Sequence, residues 1–156
     1  MAGVLLLMMV AGSTFAPLHA YEGTWTITSP HTMAGEGKTD TLENHCTEGV
    51  SFYACEQVVN GKSMALVVFT ATADAGKFHS HVVLPDGRGV GRGDLTIAGD
   101  HWTFLSSSTD DNGRKTSYRT ENYFKGSDRI HFEQYESGDE KTWVLKNQGD
   151  DVRGAR

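Results

Sequence analysis

The chain lacks any stretch that sustains an amphipathic helical period over about three turns, which argues against a helical bundle or an α/β fold. It also lacks a basic run or a basic-aromatic stripe, and 20 acidic residues outnumber 14 basic ones to leave a formal charge of −6. A phosphate backbone would be repelled by that balance, so nucleic acid is not an expected partner. Catalytic signatures are missing as well. There is no G-x-S-x-G nucleophile elbow and no H-E-x-x-H zinc motif, and nothing in the sequence sets Glu133 and Glu136 at a glycosidase separation. The glycine-rich run Gly87–Gly93 is not followed by a helix whose N-terminus would meet a phosphate. The acidic turns Asp110-Asp111-Asn112 and Asp139-Glu140 lack the ligand order of an EF-hand, and Arg92-Gly93-Asp94 sits in a strand-like segment, where an adhesion tripeptide has no loop tip. The expectation is a protein without catalysis and without a cofactor.

Cysteine is scarce, and no C-x-x-C spacing is present. Cys46 and Cys55 are the 2 cysteines of the chain, and in an exported protein this pair reads as a structural disulfide rather than a metal or redox site. The short loop it closes contributes roughly 2.5–3 kcal/mol in the chain-entropy view.

Long apolar runs are limited to Val4–Ala11, which is too short to span a membrane as a helix. Followed by small and helix-breaking residues, it reads as a secretory leader over residues 1–20, with cleavage after Ala16 or after Ala20. No Lys or Arg lies near Met1, which leaves a lipid-buried anchor or a different start codon open. The expected location is secreted or periplasmic, with no transmembrane span after cleavage. Residues 21–150 are expected to form one domain, and residues 151–156 a C-terminal tail.

What the chain has in abundance is short alternating strands. Phe52–Val59 and Met64–Thr72 meet at Asn60-Gly61, the strongest local hairpin signal, and Asp74-Ala75-Gly76 turns the chain into Phe78–Leu84. Before them, Tyr21–Thr28 places Trp25 and Ile27 on one face, and Lys38–Cys46 is a more polar second strand. After them, Arg88–Ile97 carries alternate glycines that suggest a bulge or a close backbone approach. His101–Ser107, Arg114–Phe124, Arg129–Tyr135 and Lys141–Lys146 complete about ten strands joined by short turns. The expected fold is all-β, an antiparallel up-and-down meander closed into a barrel, because closure removes exposed edges.

Gly23-Thr24-Trp25 at the head of the first strand resembles the G-x-W motif of lipocalins and the wider calycin superfamily. Ala54–Lys62, Gly99–Phe104, Tyr118-Arg119-Thr120 and Ile130–Glu133 look like segments of small secreted bacterial lipocalin-like proteins of unknown function, and the likeness covers most of residues 21–146. It implies a barrel in which Trp25 stoppers one end and an Arg from a late strand packs over it, for which Arg119 is the candidate. The chain departs from a true lipocalin in having no C-terminal helix. Its strand count is closer to the fatty-acid-binding-protein branch, whose helix pair over the mouth it also lacks.

Such a container would bind a small apolar or amphiphilic molecule, with inward-facing members of Trp102, Phe104, Tyr118, Phe124 and Phe132 as the ligand-binding residues. Tyr118, Thr120, Asn122 and Phe124 share one face of their strand, as do Ile130, Phe132 and Gln134 on the next. Two other readings stand beside it. One is a structural or interaction module of the cell envelope with a packed, ligand-free interior. The other is a metal-binding protein using His79 and His81, which emerge on one face of a strand, with His101 or His131 as a third ligand. The competing placement sends Phe78, Val82 and Leu84 to the core and both histidines to solvent.

Overall fold

The computed structural model describes residues 13–154. Ten strands follow one short 3-10 helix, Ala16–Tyr21. They are β1 (Gly23–Thr28), β2 (Asp40–Glu48), β3 (Tyr53–Val59), β4 (Lys62–Ala71), β5 (Lys77–Val83), β6 (Gly89–Ala98), β7 (His101–Thr109), β8 (Lys115–Phe124), β9 (Arg129–Ser137) and β10 (Val144–Arg153). Each pairs antiparallel with its chain neighbour, and β1 pairs with β10, so the meander closes into a barrel without a free edge. The fold is the one the alternating pattern predicts.

The hairpin turns use the chemistry their sequences carry. Asn60 and Gly61 both take positive φ, 50° and 76°, the geometry of a tight two-residue turn between twisted strands. Asn60 does more than turn the chain. Its Oδ1 accepts the backbone N–H of Thr41, and its Nδ2 donates to Asp40 Oδ1, which fixes the turn to β2.

The glycines of β6 have two separate uses. At Gly91 the register slips, so that His81 faces Arg92 while Val82 faces Val90, and Gly91 takes φ 20°. That is a bulge. At Gly93 an added Cβ would lie 2.7 Å from both Leu105 O and Ser80 Oγ, so only glycine fits between the strands.

β10 begins at Val144 rather than Lys141 and runs on through Arg153, past the boundary at 150 that the polar sequence suggested. Trp25 pairs with Arg153 and Ile27 with Asp151, so residues expected in a tail belong to the wall. Ala155 and Arg156 lie outside the described residues.

The turns β2–β3, β4–β5, β6–β7 and β8–β9 at one end of the barrel are short, while the longer β1–β2 connection lies at the other end. The first end is filled from within by the segment before β1. Phe15 and Leu18 are buried there at 4% and 1% exposure, packed with Tyr53, Phe78, Leu95 and Trp102. The expected cleavage points after Ala16 and Ala20 thus fall inside a folded 3-10 helix, and a cut after Ala20 removes two core side chains. The apolar run Val4–Ala11 lies outside the described residues.

Ionic contacts hold this plug to the barrel. His19 Nδ1 sits 2.6 Å from Glu22 Oε1 and Nε2 sits 2.7 Å from Glu48 Oε2, while Tyr53 Oη donates to the same Glu22 oxygen at 2.6 Å. The hydrogen bond to Glu48 raises the imidazole above its usual range, against a smaller desolvation effect.

Cys46 and Cys55 face each other directly across β2 and β3 and are joined, with Cα atoms 4.0 Å apart. Replacing both by alanine is expected to lower unfolding free energy by about 2.5–3 kcal/mol. Urea denaturation of oxidised wild type and the double variant checks it; equal midpoints would show that the bond contributes nothing to the folded chain.

Candidate functional site

Alternation along the strands decides what faces the lumen. On β5 Phe78, Ser80 and Val82 point inward, and on β8 Thr120 and Asn122 do so, leaving His79, His81, Arg119 and Glu121 outside. The plug fills the lower lumen, and above it remains a cavity of about 380 Å³.

The floor of the cavity is Leu18 and Tyr21. The Tyr21 ring stands edge-on to Trp102, Phe104 and Phe124, with centroids 5.0, 6.0 and 5.6 Å away. Trp102 and Phe124 therefore lie beneath the floor, where they support Tyr21 and do not line the cavity. Phe104 and Phe132 do line it, joined by Tyr53, Phe69, Ile27 and Val67. Tyr118 shares the inward face of β8 but stands at the mouth, 36% exposed, with its hydroxyl 3.1 Å from Ser108 Oγ. Of the five expected binding residues, Phe104 and Phe132 are on the wall, two are below it and one is at the rim.

Polar groups are set at defined heights in this apolar lining. Gln57, Ser106 and Gln134 sit toward the mouth. Deeper, Asn44 Nδ2 donates to the Tyr21 carbonyl at 2.9 Å, the same carbonyl that accepts Trp25 Nε1 at 3.0 Å, and Asn122 Nδ2 donates to the Tyr21 hydroxyl. Burial pushes the Tyr21 phenol well above its ordinary range, with the Asp151 carboxyl adding to the effect.

Asp151 is the unexpected member. It lies on β10 between Ile27 and Ile130, lines the cavity, and has a buried Oδ1 with no hydrogen-bond partner. Desolvation, with a smaller contribution from Asp150, pushes its carboxyl up to about 7.

Trp25 stoppers the closed end at 1% exposure, but the Arg over it is not Arg119. Arg153 places its guanidinium 4.1 Å from the indole centroid. It also donates through Nε to Ser127 O at 2.8 Å, through Nη2 to Ala20 O at 2.7 Å and through Nη1 to Glu22 O. One side chain thus ties the last strand to the plug and to the β8–β9 turn. Arg119 lies on the outer face, 4.6 Å from the rings of both Tyr135 and Trp143 and 3.1 Å from Glu121. The parity of β8, in which Arg119 alternates with the inward Tyr118 and Thr120, sends it outside.

The histidines do not converge. His79 faces outward with Nδ1 2.7 Å from Asp94, and His81 is exposed beside it. His101 stacks on Tyr123 at 4.6 Å and contacts Glu121, and His131 lies on the other side of the same tyrosine between Glu133 and Asp150. Among the described residues no group of three or more His, Cys, Asp or Glu is placed to hold a metal ion.

A search of solved structures gives a crystal structure of Rv2717c from M. tuberculosis, with TM-score 0.56 at 11% identity, covering 92% of this chain and 99% of that one. The likeness is one of fold, and the closed ten-strand barrel is consistent with a calycin-like architecture. No family model matches the sequence, and no curated protein matches it. Among the described residues no helix is long and apolar enough to cross a membrane, and the disulfide is compatible with an exported protein.

Proposed function

We propose that this chain is an exported lipocalin-like container that holds a small apolar or amphiphilic molecule in the upper half of its barrel, without chemistry. The observation that carries this reading is the cavity of about 380 Å³ above the plug, walled by aromatic and aliphatic side chains with a few fixed polar groups. Small-molecule sites have this make-up, and their volumes run from roughly 300 to 1,000 Å³. The cavity favours the container over a fully packed envelope module. The outward, separated histidines give no support to a metal-binding role.

Native mass spectrometry of protein purified from its own host is expected to reveal a bound small molecule. In a second measurement, an environment-sensitive apolar fluorophore is expected to bind saturably, and Thr120→Trp, which places an indole in the cavity, to weaken its uptake by at least about tenfold. The thermal transition of the variant reports that the barrel is intact. Fluorophore uptake that is unchanged in a folded Thr120→Trp variant would place binding elsewhere and overturn the reading.

A further inference from the structure

The polar groups of the cavity are unevenly matched. Asn44 and Asn122 each give an amide hydrogen to Tyr21, at its carbonyl and its hydroxyl respectively. What remains without a partner is acceptor oxygen: Asn44 Oδ1 and Asp151 Oδ1, both buried. Among the described residues that line the cavity there is no Lys, Arg or His, and Asp151 is the sole carboxylic acid. Arg153, two residues further along the same strand, points its guanidinium at Trp25, at the carbonyls of Ala20 and Glu22 beside the plug, and at that of Ser127 in the β8–β9 turn.

A buried acceptor left unmatched costs about 1–3 kcal/mol, more if it is ionised. A ligand that supplies donors and positive charge recovers that cost, and a hydrocarbon cannot. Aromatic side chains favour the same partner. Tyr21, Tyr53, Phe69, Phe104 and Phe132 line the same cavity as the carboxyl, and ring faces attract cations most strongly where water is excluded.

We infer that the ligand of this cavity carries a protonated amine on an apolar or aromatic body, and that Asp151 is the residue that anchors it. The inference rests on the container reading and names its ligand class. An ammonium offers three donors, and the Asp151 carboxylate accepts one or two of them. The apolar body then fills the space between Phe104 and Phe132.

Capture is linked to protons. The burial that raises Asp151 leaves its carboxyl substantially protonated in slightly acid solution, and the ion pair forms only when it is ionised. The groups facing it are few. Tyr21 comes from the plug, β1 contributes no titratable side chain, β9 presents Ile130, and on β10 itself stand Asp150, paired outward with His131, and Arg153.

Calorimetric titration of the full chain with tryptamine and with its neutral counterpart indole-3-ethanol tests this. At about pH 8 the amine is expected to bind wild type at least about tenfold more tightly than the alcohol. In Asp151→Asn, which keeps the volume, that preference should vanish while the alcohol binds both proteins alike. Lowering the pH to about 5 should erase the preference in wild type and change nothing in the variant. Equal affinity for amine and alcohol in wild type, or an amine preference that survives Asp151→Asn, overturns the assignment and leaves the container standing. Failure of both indoles together with the apolar fluorophore would bring down the container reading as well.

Discussion

Trp25→Ala is expected to lower the unfolding free energy by about 3–5 kcal/mol, the range for truncating a large aromatic in a packed core. The indole is 1% exposed, donates to the Tyr21 carbonyl and lies under the Arg153 guanidinium, so its loss opens the closed end and frees two partners at once. Arg153→Ala should follow with a loss of about 2–3 kcal/mol, since it leaves the carbonyls of Ala20, Glu22 and Ser127 without their donor. Arg119→Ala is the control. On the outer face, stacked on Tyr135 and Trp143, it should cost about 1 kcal/mol or less. Urea unfolding of the three variants at one pH provides the comparison. If Arg119→Ala proved as costly as Arg153→Ala, the account of how the barrel is sealed would be wrong.

Asp151→Asn is expected to stabilise the protein in alkaline solution and to leave it nearly unchanged in acid. The folded carboxyl titrates at about 7, against 3.8 for the free group. Because the folded pKa is the higher one, the associated stability is fully present below 3.8 and is lost as pH rises through about 7. Above that point the folded chain carries a buried charge, at a cost on the order of 4 kcal/mol at most, reduced by whatever water reaches the cavity. Asparagine does not titrate and avoids the cost. Its melting temperature should exceed that of wild type by up to roughly 10 °C near pH 8 and match it near pH 4. Paired thermal scans at the two pH values give the answer. A variant less stable than wild type at pH about 8 would mean that the carboxylate is already compensated within the fold.

The barrel was legible because its strands alternate and its turns carry Asn-Gly, Asp-Gly and Gly-Asp signals; side-chain alternation fixes which face is buried without reference to anything distant. Height along the barrel has no such local signal. Trp102 and Phe104 share a face of β7, yet one supports the floor and the other lines the wall, a difference set by where Tyr21 lies. The floor itself was hidden because Phe15 and Leu18 follow an apolar run, and apolarity serves membrane targeting and core packing equally well. β10 was misread for the opposite reason. The stretch Lys146–Arg153 is polar at nearly every position, as a solvated tail would be, and its place in the wall comes from pairing with β1 and β9. Asp151 and Arg153 were missed together with it. An inward acid in a strand looks no different in sequence from an outward one until its neighbours Ile27 and Ile130 are known.

Closure through β1 and β10 also dictates when the molecule can be finished. Trp25 and Arg153 stand 128 positions apart in the chain yet pair directly, so the seam joins the earliest strand to the latest. Loops of that span close slowly, and until they do both outer strands present unpaired amides. While the ribosome still holds the final residues, the nascent chain can form at most an open sheet. The last step of assembly waits until β10 is complete and free to meet β1.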